Sequence, residues 1–448
     1  MLISNASTSN GHKMNIKTYS TAETRFTELF QQLCERNLDL DMSADNIVAE
    51  IISRVAAEGD AALFDYTQRF DGLNLETTGI EVQTAEIDKA CDSLQPEQLK
   101  NLELAIERVR IFHQRQLRQS WFDDNEPGIL LGQKITPLQR AGIYVPGGKA
   151  SYPSSVIMNA IPAQVAGVDE IIMVSPAPQG YNPAVLAAAR LCGVDQIFRI
   201  GGAQAVAALA YGTESVPMVD KIVGPGNIYV ALAKRRVFGR VGIDMVAGPS
   251  EIMIVADDSA NPVYVAADLL SQAEHDELAV VALVTPSQNL IDQVKLELEK
   301  QLSLLHRKEI TERSLNNQGA LIKTATLDEA LALANRFAAE HLELAVADPL
   351  LALSSIKNAG AIFLGHSTPE ALGDYIAGPN HVLPTAGTAR FSSPLGVDDF
   401  IKKSSVLSFS KNALDNYGEA VTGLAEMEGL QAHGRAVSLR LKQQVNSK

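Results

Sequence analysis

The sequence contains 448 residues, of which 46% are apolar and 20% are charged. This length and composition are typical of a globular protein with two or three domains and a full apolar core, and they exclude a disordered or fibrous chain. The formal net charge of −15 argues against a nucleic-acid partner, because phosphate binding requires a basic surface. A local basic patch stays compatible with this charge.

The N-terminus and the cysteines predict a cytoplasmic protein. The first residues, MLISNASTSNGHKMN, have neither the charged start and apolar run of a signal peptide nor the arginines of a transit peptide. We interpret residues 1–13, which precede Met14, as an extension or a misplaced start. Nowhere is an apolar run long enough to span a bilayer, so we expect no membrane helix. Three scattered cysteines (Cys34, Cys91 and Cys192) favour a reducing compartment and leave nitrogen and oxygen atoms as the candidate metal ligands.

The chain from residue 20 to about 120 is predicted to be mostly helical. In LDMSADNIVAEIISRVAAEGDAALFDYTQRF, apolar residues recur at spacings of three and four, which is the period of an amphipathic helix. From Ala141 to about residue 286, helical stretches alternate with the β-rich runs AGIYV, EIIMVS, QIFRIG, KIVG, SEIMIVA and LAVVALV. Such alternation predicts βαβ units, with a parallel sheet covered by helices.

The C-terminal third continues this pattern and then departs from it. Helix and strand alternate through about residue 365, and the Gly/Pro-rich stretch GPNHVLPTAGTARFSSPLG is predicted to be an irregular loop. The last fifty residues are predicted to return to helix. Since fifty residues bury little core alone, this segment must pack on something else.

The segment SQAEHDE at residues 271–277 places a histidine at the end of the helical run NPVYVAADLLSQAEH. Gln272 and His275 are three residues apart and share a helix face, with Asp268 four residues before the glutamine on the same side. These side chains are therefore candidate metal ligands. An equally good interpretation is a histidine that caps helix carbonyls and interacts with the helix dipole.

A second AEH occurs in NRFAAEHLELAV, again where a helical run ends and a β-like run begins. Glu340 and His341 would point about 100° apart on a helix, so they are not a metal pair on one helix face. At a helix end, both side chains could enter one cleft as two proton-transfer groups. Solvated end residues are an equally good interpretation of this stretch alone.

Loops and glycine clusters supply further candidates. GDYIAGPNH presents Asp374 and His381, and AEMEGLQAH presents Glu428 and His433. The clusters VPGGKAS, IGGAQA, VGPGN and AGPSE follow β-like runs, where glycine lets the backbone approach a ligand or a helix. GPGNIY fails the dinucleotide pattern G-x-G-x-x-G because Tyr229 stands at the third glycine position. Taken singly, each cluster is better interpreted as a tight turn.

In combination, these segments resemble the histidinol dehydrogenase family. The resemblance is carried by AGIYVPGGKASYPSSVIMNAIPAQVAGVDEI, GGAQAVAALAYGTESVPMVDKIVGPGN, IDMVAGPSEIMIVAD, DLLSQAEHD, AAEHLEL, GDYIAGPNHVLPT and SPLGVDDF, in this order. It covers residues 20 to 440 approximately. It implies the oxidation of L-histidinol to L-histidine, the last step of histidine biosynthesis, through a bound aldehyde, with two NAD-dependent hydride transfers and one zinc ion per subunit.

The predicted fold is α/β, with two incomplete Rossmann-like parallel-sheet domains and helical extensions at both termini. Residues 1–39 are expected to form an N-terminal extension and arm. The first α/β domain is expected to combine residues 40–143 with 251–395 and to carry the zinc and acid/base residues. Residues 144–250 are expected to form the second α/β domain, which contacts NAD, and residues 396–448 a helical dimerisation segment.

The resemblance also implies roles for individual residues. The implied zinc ligands exclude Asp268 and are Gln272, His275, Asp374 and His433. Glu340 and His341 are the implied catalytic acid/base residues. The implied substrate contacts are Ser250, Gln272, His275, His341, Asp374, His381, Glu428 and His433. The implied NAD contacts are Tyr144, Gln204 and Asn227.

Elementary chemistry agrees with these implied roles. Zinc accepts imidazole nitrogen and carboxylate oxygen, and a glutamine carbonyl is an unusual ligand of the same class. His341 suits the proton of the alcohol, and Glu340 suits activation of a water for the aldehyde step. A cysteine thiohemiacetal is a poorer interpretation, since neither Cys91 nor Cys192 lies beside a histidine or a glycine-rich loop.

Two other functions are alternatives to this one. A zinc hydrolase would use a similar set of residues without NAD, and a non-catalytic binding protein would require a lost site residue. The resemblance further implies an obligate homodimer, in which the C-terminal segment reaches across a two-fold axis to complete the partner's site.

Overall fold

The computed structural model describes residues 15–35, 42–147 and 152–442. The predicted extension at residues 1–13, the predicted boundary near residue 39 and the loop residues 148–151 of VPGGKAS lie outside this part of the chain. The described strands are β1 Lys17–Ser20, β2 Trp121–Asp123, β3 Ile129–Pro137, β4 Arg140–Tyr144, β5 Glu170–Val174, β6 Gln196–Phe198, β7 Lys221–Val223, β8 Gly242–Ile243, β9 Glu251–Ala256, β10 Val280–Thr285, β11 Gly319–Lys323, β12 His341–Ala345, β13 Ala361–Leu364 and β14 Ile401–Phe409.

Helices surround these strands and account for most of the remaining chain. The described α-helices are α1 Phe26–Cys34, α2 Met42–Glu58, α3 Asp60–Asp71, α4 Leu75–Thr78, α5 Thr84–Ser93, α6 Pro96–Gln114, α7 Pro153–Ala166, α8 Pro183–Leu191, α9 Gly202–Tyr211, α10 Ile228–Val237, α11 Pro262–Ala273, α12 Gln288–Leu302, α13 Lys308–Gln318, α14 Leu327–Phe337, α15 Pro349–Leu353, α16 Glu370–Tyr375, α17 Lys411–Met427 and α18 Gln431–Lys442. Two 3₁₀ turns, Thr388–Arg390 and Val397–Phe400, lie in the long loop before β14. Across the described residues, no helix is both long and apolar enough to cross a membrane.

The larger sheet has six parallel strands in the order β1-β11-β10-β9-β12-β13. Every residue of β9 (EIMIVA) and of β10 (VVALVT) is buried, as expected for parallel strands that helices cover on both faces. Helices α11, α12 and α13 pack on one face, and α1 and α14 pack on the other. The sheet therefore has an apolar core on each side.

The second sheet has five parallel strands in the order β6-β5-β4-β7-β8. Helices α2, α3, α9 and α10 pack on one face, and α5, α6, α7 and α8 pack on the other. In the five-stranded sheet, and in strands β9 to β13 of the larger sheet, the first strand is central, the next two extend to one side and the last two to the other, which is a doubly wound order. Strand β1 adds an edge strand to the larger sheet. The α/β fold with two incomplete Rossmann-like units is thus confirmed.

The predicted division of the chain differs from this packing in one respect. Residues 40–143 were grouped with residues 251–395, whereas helices α2 and α3 bury their apolar faces against the five-stranded sheet. Strand β4 of that sheet also spans the predicted boundary between residues 143 and 144. Amphipathic periodicity shows that a helix has an apolar face, but not which sheet covers it.

A third sheet corrects the prediction for the C-terminal segment. Residues 396–448 were expected to be helical, but Ile401–Phe409 form strand β14, which pairs antiparallel with β3, and β2 completes the sheet on the other side of β3. Most residues of β14 are exposed, so its sequence IKKSSVLSF lacks the apolar run of the parallel strands. Only α17 and α18 match the expected helices.

Candidate active site

Glu340 and His341 lie at the amino end of β12. Helix α14 ends at Phe337 because Ala338 adopts a left-handed conformation with φ of 52°, which alanine rarely adopts. Three residues after Ala338 the chain enters β12, with His341 as its first residue. Since β12 runs parallel to β9 in the sheet, this places the pair beside the amino end of β9.

The backbone of Glu251, the first residue of β9, holds both of these side chains. Its N–H donates to Oε2 of Glu340 at 2.8 Å. Its carbonyl oxygen lies 3.0 Å from Nδ1 of His341. A carbonyl oxygen only accepts hydrogen bonds, so Nδ1 carries the imidazole proton and Nε2 keeps a lone pair. His341 is therefore oriented with its basic nitrogen away from β9.

Burial shifts the pKa values of this pair in opposite directions. Burial, together with the smaller effects of His275 and His381, lowers the pKa of His341 to about 3, so the imidazole is neutral at neutral pH. Burial raises the pKa of Glu340 well above its ordinary value, and the nearby carboxylate of Glu251 raises it further. One residue thus keeps a free lone pair, and the other is a stronger base than an ordinary carboxylate when it is ionised.

A candidate metal centre lies beside His341. His275, Glu370 and Asp374 each place one nitrogen or oxygen atom within 4.8 Å of the atoms of the other two. His275 follows the C-terminal end of α11, whereas Glu370 and Asp374 are four residues apart on α16 and so share a face of that helix. Oε1 of Glu370 is 3.8 Å from Nε2 of His341. The predicted ligands His275 and Asp374 are therefore close together, and Glu370 joins them.

The two carboxyl groups of α16 strongly affect each other. Burial, and then the charge of Asp374, raises the pKa of Glu370 to about 8. Burial likewise raises the pKa of Asp374 to about 6. Because the cause is the cost of placing negative charge away from water, a bound cation would favour the ionised form of both groups.

Gln272 provides an independent test of whether these residues suit a metal ion. Its side chain is 1% exposed, and among the described residues none donates a hydrogen bond to its Oε1. A buried acceptor without a donor is unfavourable unless a proton donor or a cation reaches it. Together with an imidazole and carboxylates, an amide oxygen makes a nitrogen and oxygen donor set that suits zinc and neighbouring divalent ions.

A second layer of carboxyl groups supports α16. Glu343 is buried in β12 and accepts a hydrogen bond from the N–H of Glu370 at 2.9 Å. Burial, with the charge of Asp268, raises the pKa of Glu343 well above its ordinary value. Asp268 itself is hydrogen-bonded to Glu343, and burial raises its pKa to about 6. Among the described residues, Asp268 is therefore not part of the group formed by His275, Glu370 and Asp374, and it contacts Glu343 instead.

His381 and Ser250 complete this part of the site. Nδ1 of His381 is 3.2 Å from the carbonyl oxygen of Asp374, and burial lowers the pKa of His381 to about 4. Ser250 precedes Glu251 directly, and its carbonyl oxygen accepts a hydrogen bond from Val280 at the start of β10. The predicted substrate contacts Ser250 and His381 are therefore placed at the same edge as the predicted acid/base pair.

The three predicted NAD contacts lie at the carboxyl end of the five-stranded sheet. Tyr144 ends β4, and its hydroxyl accepts a hydrogen bond from the N–H of Gly202 at 3.0 Å, at the start of α9. Gln204 is buried in the first turn of α9. Asn227 follows β7 and caps α10 by accepting from Tyr229 and Val230. Strand order reverses between β4 and β7, which is where doubly wound sheets bind ligands.

The loop between β7 and α10 is held rigidly beside β4. Gly224 has φ of 107°, and a Cβ there would lie 2.2 Å from the carbonyl oxygen of Tyr144. Nζ of Lys234 donates to the carbonyl oxygen of Gly224 at 2.8 Å, and the N–H of Gly224 donates to Oδ2 of Asp244 at 2.8 Å. Lys234 and Asp244 also form a buried ion pair. Glycine therefore serves a close backbone approach here, although the sequence pattern of the dinucleotide motif fails.

Glu428 and His433 are not brought to this site within the described part of one chain. Both are exposed, Glu428 at the end of α17 and His433 in α18. Around them α17 and the following turn expose apolar side chains, namely Val421, Leu424, Met427 and Leu430. An exposed apolar patch of this kind marks a surface that another molecule covers.

Sequence reasoning missed three buried acids, Glu251, Glu343 and Glu370. Glu251 begins an otherwise apolar strand and Glu343 interrupts one, and a buried charged residue at such a position requires a partner. Glu370 is four residues before Asp374, and this helical spacing could have identified it. Cys192 is a buried thiol whose pKa burial raises to about 12, whereas Cys91 is half-buried.

Comparisons with known proteins agree on one family. The family model described as histidinol dehydrogenase matches residues 34–441. A histidinol dehydrogenase of Geobacter sulfurreducens is 58% identical over 422 residues, which are 94% of this chain and 98% of that protein. One of Aquifex aeolicus is 52% identical over 427 residues, with coverage of 95% and 99%. The crystal structure of histidinol dehydrogenase from Elizabethkingia anophelis has a TM-score of 0.91 and 38% identity, and covers 97% of this chain and 100% of that chain.

The protonation of His341 gives a direct prediction. In the metal-free protein, its imidazole should stay neutral, with the proton on Nδ1, from neutral pH to about pH 4, because burial lowers its pKa to about 3. The unfolded chain then binds one more proton between about pH 6.5 and 3, so this residue makes the folded protein less stable as the pH falls through that window. Imidazole ¹⁵N NMR shifts, assigned by comparison with His341→Asn, measure this. Protonation of Nε2 above about pH 5 would contradict it.

Proposed function

The chain belongs to the histidinol dehydrogenase family, a family of oxidoreductases, and we propose that it oxidises L-histidinol to L-histidine through a bound L-histidinaldehyde. Two NAD molecules and one zinc ion per subunit take part. Within the site, the observation that most supports this proposal is the neutral imidazole of His341, whose free Nε2 lies beside the group of His275, Glu370 and Asp374.

The metal centre would draw its ligands from two elements of this chain. Gln272 and His275 come from the end of α11, and Asp374 comes from α16. The unpartnered Oε1 of Gln272 supports this assignment. When bound there, zinc would supply a Lewis acid, and these residues would hold it where it could orient the substrate.

His341 acts in the first oxidation. The alcohol oxygen of the substrate gives its proton to Nε2 of His341 while a hydride leaves the carbinol carbon for NAD, and an aldehyde results. The hydrogen bond from Nδ1–H to the carbonyl of Glu251 fixes the ring and stabilises the imidazolium that forms. Because His341 is buried away from water, its imidazole is neutral before the substrate binds.

Glu340 acts in the second oxidation. Its carboxylate takes a proton from water as the water oxygen attacks the aldehyde carbon, which gives a hydrate anion. This anion loses a hydride to a second NAD and becomes the carboxylic acid, and the acid releases its proton to solvent as the carboxylate product. The raised pKa of Glu340 makes it a stronger base than an exposed carboxylate. The bond from Glu251 N–H to Oε2 leaves Oε1 to accept the proton.

The cofactor would occupy the carboxyl edge of the five-stranded sheet, where Tyr144, Gln204 and Asn227 are expected to contact it. The reversal of strand order between β4 and β7 supports this location, and so does the fixed loop at Gly224. The side-chain oxygen of Asn227 already caps α10. Its side-chain N–H groups can therefore donate hydrogen bonds to the cofactor.

The proposal includes an obligate homodimer with shared active sites. Glu428 and His433 are exposed beside an apolar surface on α17 and the turn that follows. Burying that surface against a second copy would bring His433 to the partner's metal centre and Glu428 to its substrate. We also propose a reducing, cytoplasmic environment, since three scattered cysteines are too few for a disulfide framework.

The first test is the reaction itself. Purified protein should reduce NAD in the presence of L-histidinol, chelation should abolish this activity, and zinc should restore it, with cobalt or manganese restoring part of it because the expected ligands are nitrogen and oxygen atoms. Absorbance of the reduced nicotinamide measures the rate. Chelator-sensitive hydrolysis of an ester or amide without any NAD requirement would instead indicate a metal hydrolase.

The second test separates the two oxidations. Glu340→Gln should slow oxidation of supplied L-histidinaldehyde by roughly 100- to 10,000-fold and slow the first hydride transfer much less, since it removes the base for water. Single-turnover kinetics with each substrate measure the two steps. The glutamine oxygen can still accept from the N–H of Glu251, so an unchanged unfolding temperature is the control. Equal losses in both steps would assign Glu340 another role.

A further inference from the structure

Lys234 and Asp244 form a buried ion pair that takes no part in the proposed chemistry. Lys234 lies in α10 and Asp244 directly follows β8, and their side chains are 2% and 1% exposed. Removing two opposite charges from water is costly, and an apolar pair of similar volume often stabilises a protein as well or better. Stability alone therefore does not account for this pair.

Both side chains hold the backbone of Gly224, the residue that follows β7. Nζ of Lys234 donates a hydrogen bond to the carbonyl oxygen of Gly224 at 2.8 Å, and the N–H of Gly224 donates to Oδ2 of Asp244 at 2.8 Å. Gly224 is buried, so the loss of either bond would leave a backbone group without a partner. The pair thus fixes the start of the loop 224–227, which ends at the proposed NAD contact Asn227.

Asp244 also begins the segment that joins the two α/β units. Its Oδ1 accepts a hydrogen bond from the N–H of Met245 at 2.6 Å, and Met245 is buried in the core of the five-stranded sheet. Seven residues after Asp244 the chain reaches Glu251, whose backbone holds the proposed acid/base pair. Midway, the N–H of Gly248 donates to the hydroxyl of Thr385 at 2.6 Å. One anchored segment therefore connects the residues that hold loop 224–227 to the residue that holds the acid/base pair.

Hydride transfer makes the distance between these two parts of the site important. The nicotinamide carbon and the carbinol carbon must approach to about 3 to 3.5 Å, and a misplacement of about 1 Å can cost about 100-fold in rate. In the proposed site the five-stranded unit binds NAD, whereas His341, which accepts the proton, belongs to the six-stranded unit. The reaction therefore requires a fixed relation between loop 224–227 and His341.

We infer that Lys234 and Asp244 are positioning residues for hydride transfer, which hold loop 224–227 against NAD and fix it relative to the acid/base pair. Neither side chain contacts the cofactor or the substrate itself. This inference rests on the proposed function and deepens it. The ion pair affects NAD affinity and the rate of hydride transfer. It does not affect zinc affinity, because the proposed zinc ligands from this chain lie at the end of α11 and in α16.

Two variants weaken the hold on the loop in different ways. Asp244→Asn keeps the shape of the side chain but leaves one oxygen where Gly224 and Met245 now bind two. The double variant Lys234→Met/Asp244→Asn also removes the donor to Gly224. It leaves no unpaired buried charge, so it avoids the destabilisation that Lys234→Met alone would cause. If one variant does not fold, the other carries the test.

Binding of NAD to the full-length, zinc-loaded protein is measured by calorimetry, and zinc content by elemental analysis. Both variants should weaken NAD binding by roughly 2- to 30-fold, the range for residues that act on a site without contacting the ligand, and keep the wild-type zinc content. Wild-type NAD affinity in a folded variant would overturn the inference, and so would a parallel loss of zinc. If the wild type binds no NAD, the proposed function fails as well.

Single-turnover kinetics distinguish positioning from a loss of folded protein. At saturating NAD and L-histidinol, the rate constant of the first hydride transfer should fall by roughly 10- to 100-fold in both variants, because the loop no longer holds the nicotinamide at the reacting distance. A smaller folded fraction would lower the amplitude of the reduced nicotinamide signal and leave its rate constant unchanged. That result would contradict the inference.

Lys221→Met is a matched control on the same strand. Nζ of Lys221 donates to Oδ1 of Asp399 at 2.8 Å, and this pair lies at the amino end of β7, at the other end of the strand from loop 224–227. The variant also leaves an aspartate without its lysine, but it should keep the wild-type NAD affinity and hydride-transfer rate. Equal losses in Lys221→Met would show that any loosening of β7 has this effect, and would overturn the assignment to Lys234 and Asp244.

Discussion

Buried acceptors that face one another are the constraint on which this site depends. Oε1 of Gln272 accepts no hydrogen bond within the described chain, and His275, Glu370 and Asp374 lie in one small volume. Folding alone leaves these groups unfavourable, because negative charge and lone pairs face each other away from water. A cation bound between α11 and α16, as we propose, would offset that cost.

The two sheets have the same strand order and use opposite edges. In the five-stranded sheet, Tyr144 and the loop at Gly224 lie at the carboxyl edge, where doubly wound sheets usually bind ligands. In the six-stranded sheet, Glu251 and His341 begin their strands, so the proposed acid/base pair, Glu340 and His341, lies at the amino edge. The loop of residues 380–386 contacts both units: Asn380 donates to Met158 in α7, and the N–H of Ala386 donates to Glu251. This loop thus connects the unit of the five-stranded sheet to the unit of the six-stranded sheet.

Local patterns predicted the parallel strands and His275, but not the contacts made over long distances. Apolar runs identify β9 and β10 because helices bury both faces of those strands. Strand β14 was predicted to be helix because its exposed residues carry no such run, and only its pairing with β3 makes it a strand. Glu370 was missed because its place in the site depends on contacts between distant parts of the chain, such as its hydrogen bond from Ser271, 99 residues away. The sequence shows only that Glu370 is four residues before Asp374, and its long-range contacts are visible only in the folded chain.

The account requires that a complete site takes residues from two subunits, and subunit mixing tests this most directly. Glu340→Gln and His433→Asn chains, each inactive alone, are denatured and refolded together. Random pairing makes about half the dimers mixed, and each mixed dimer has one doubly damaged site and one intact site, so roughly a quarter of wild-type activity should return. If His433 serves its own chain, every site keeps one defect. No recovery, with mixed dimers shown to be present, would contradict the shared site.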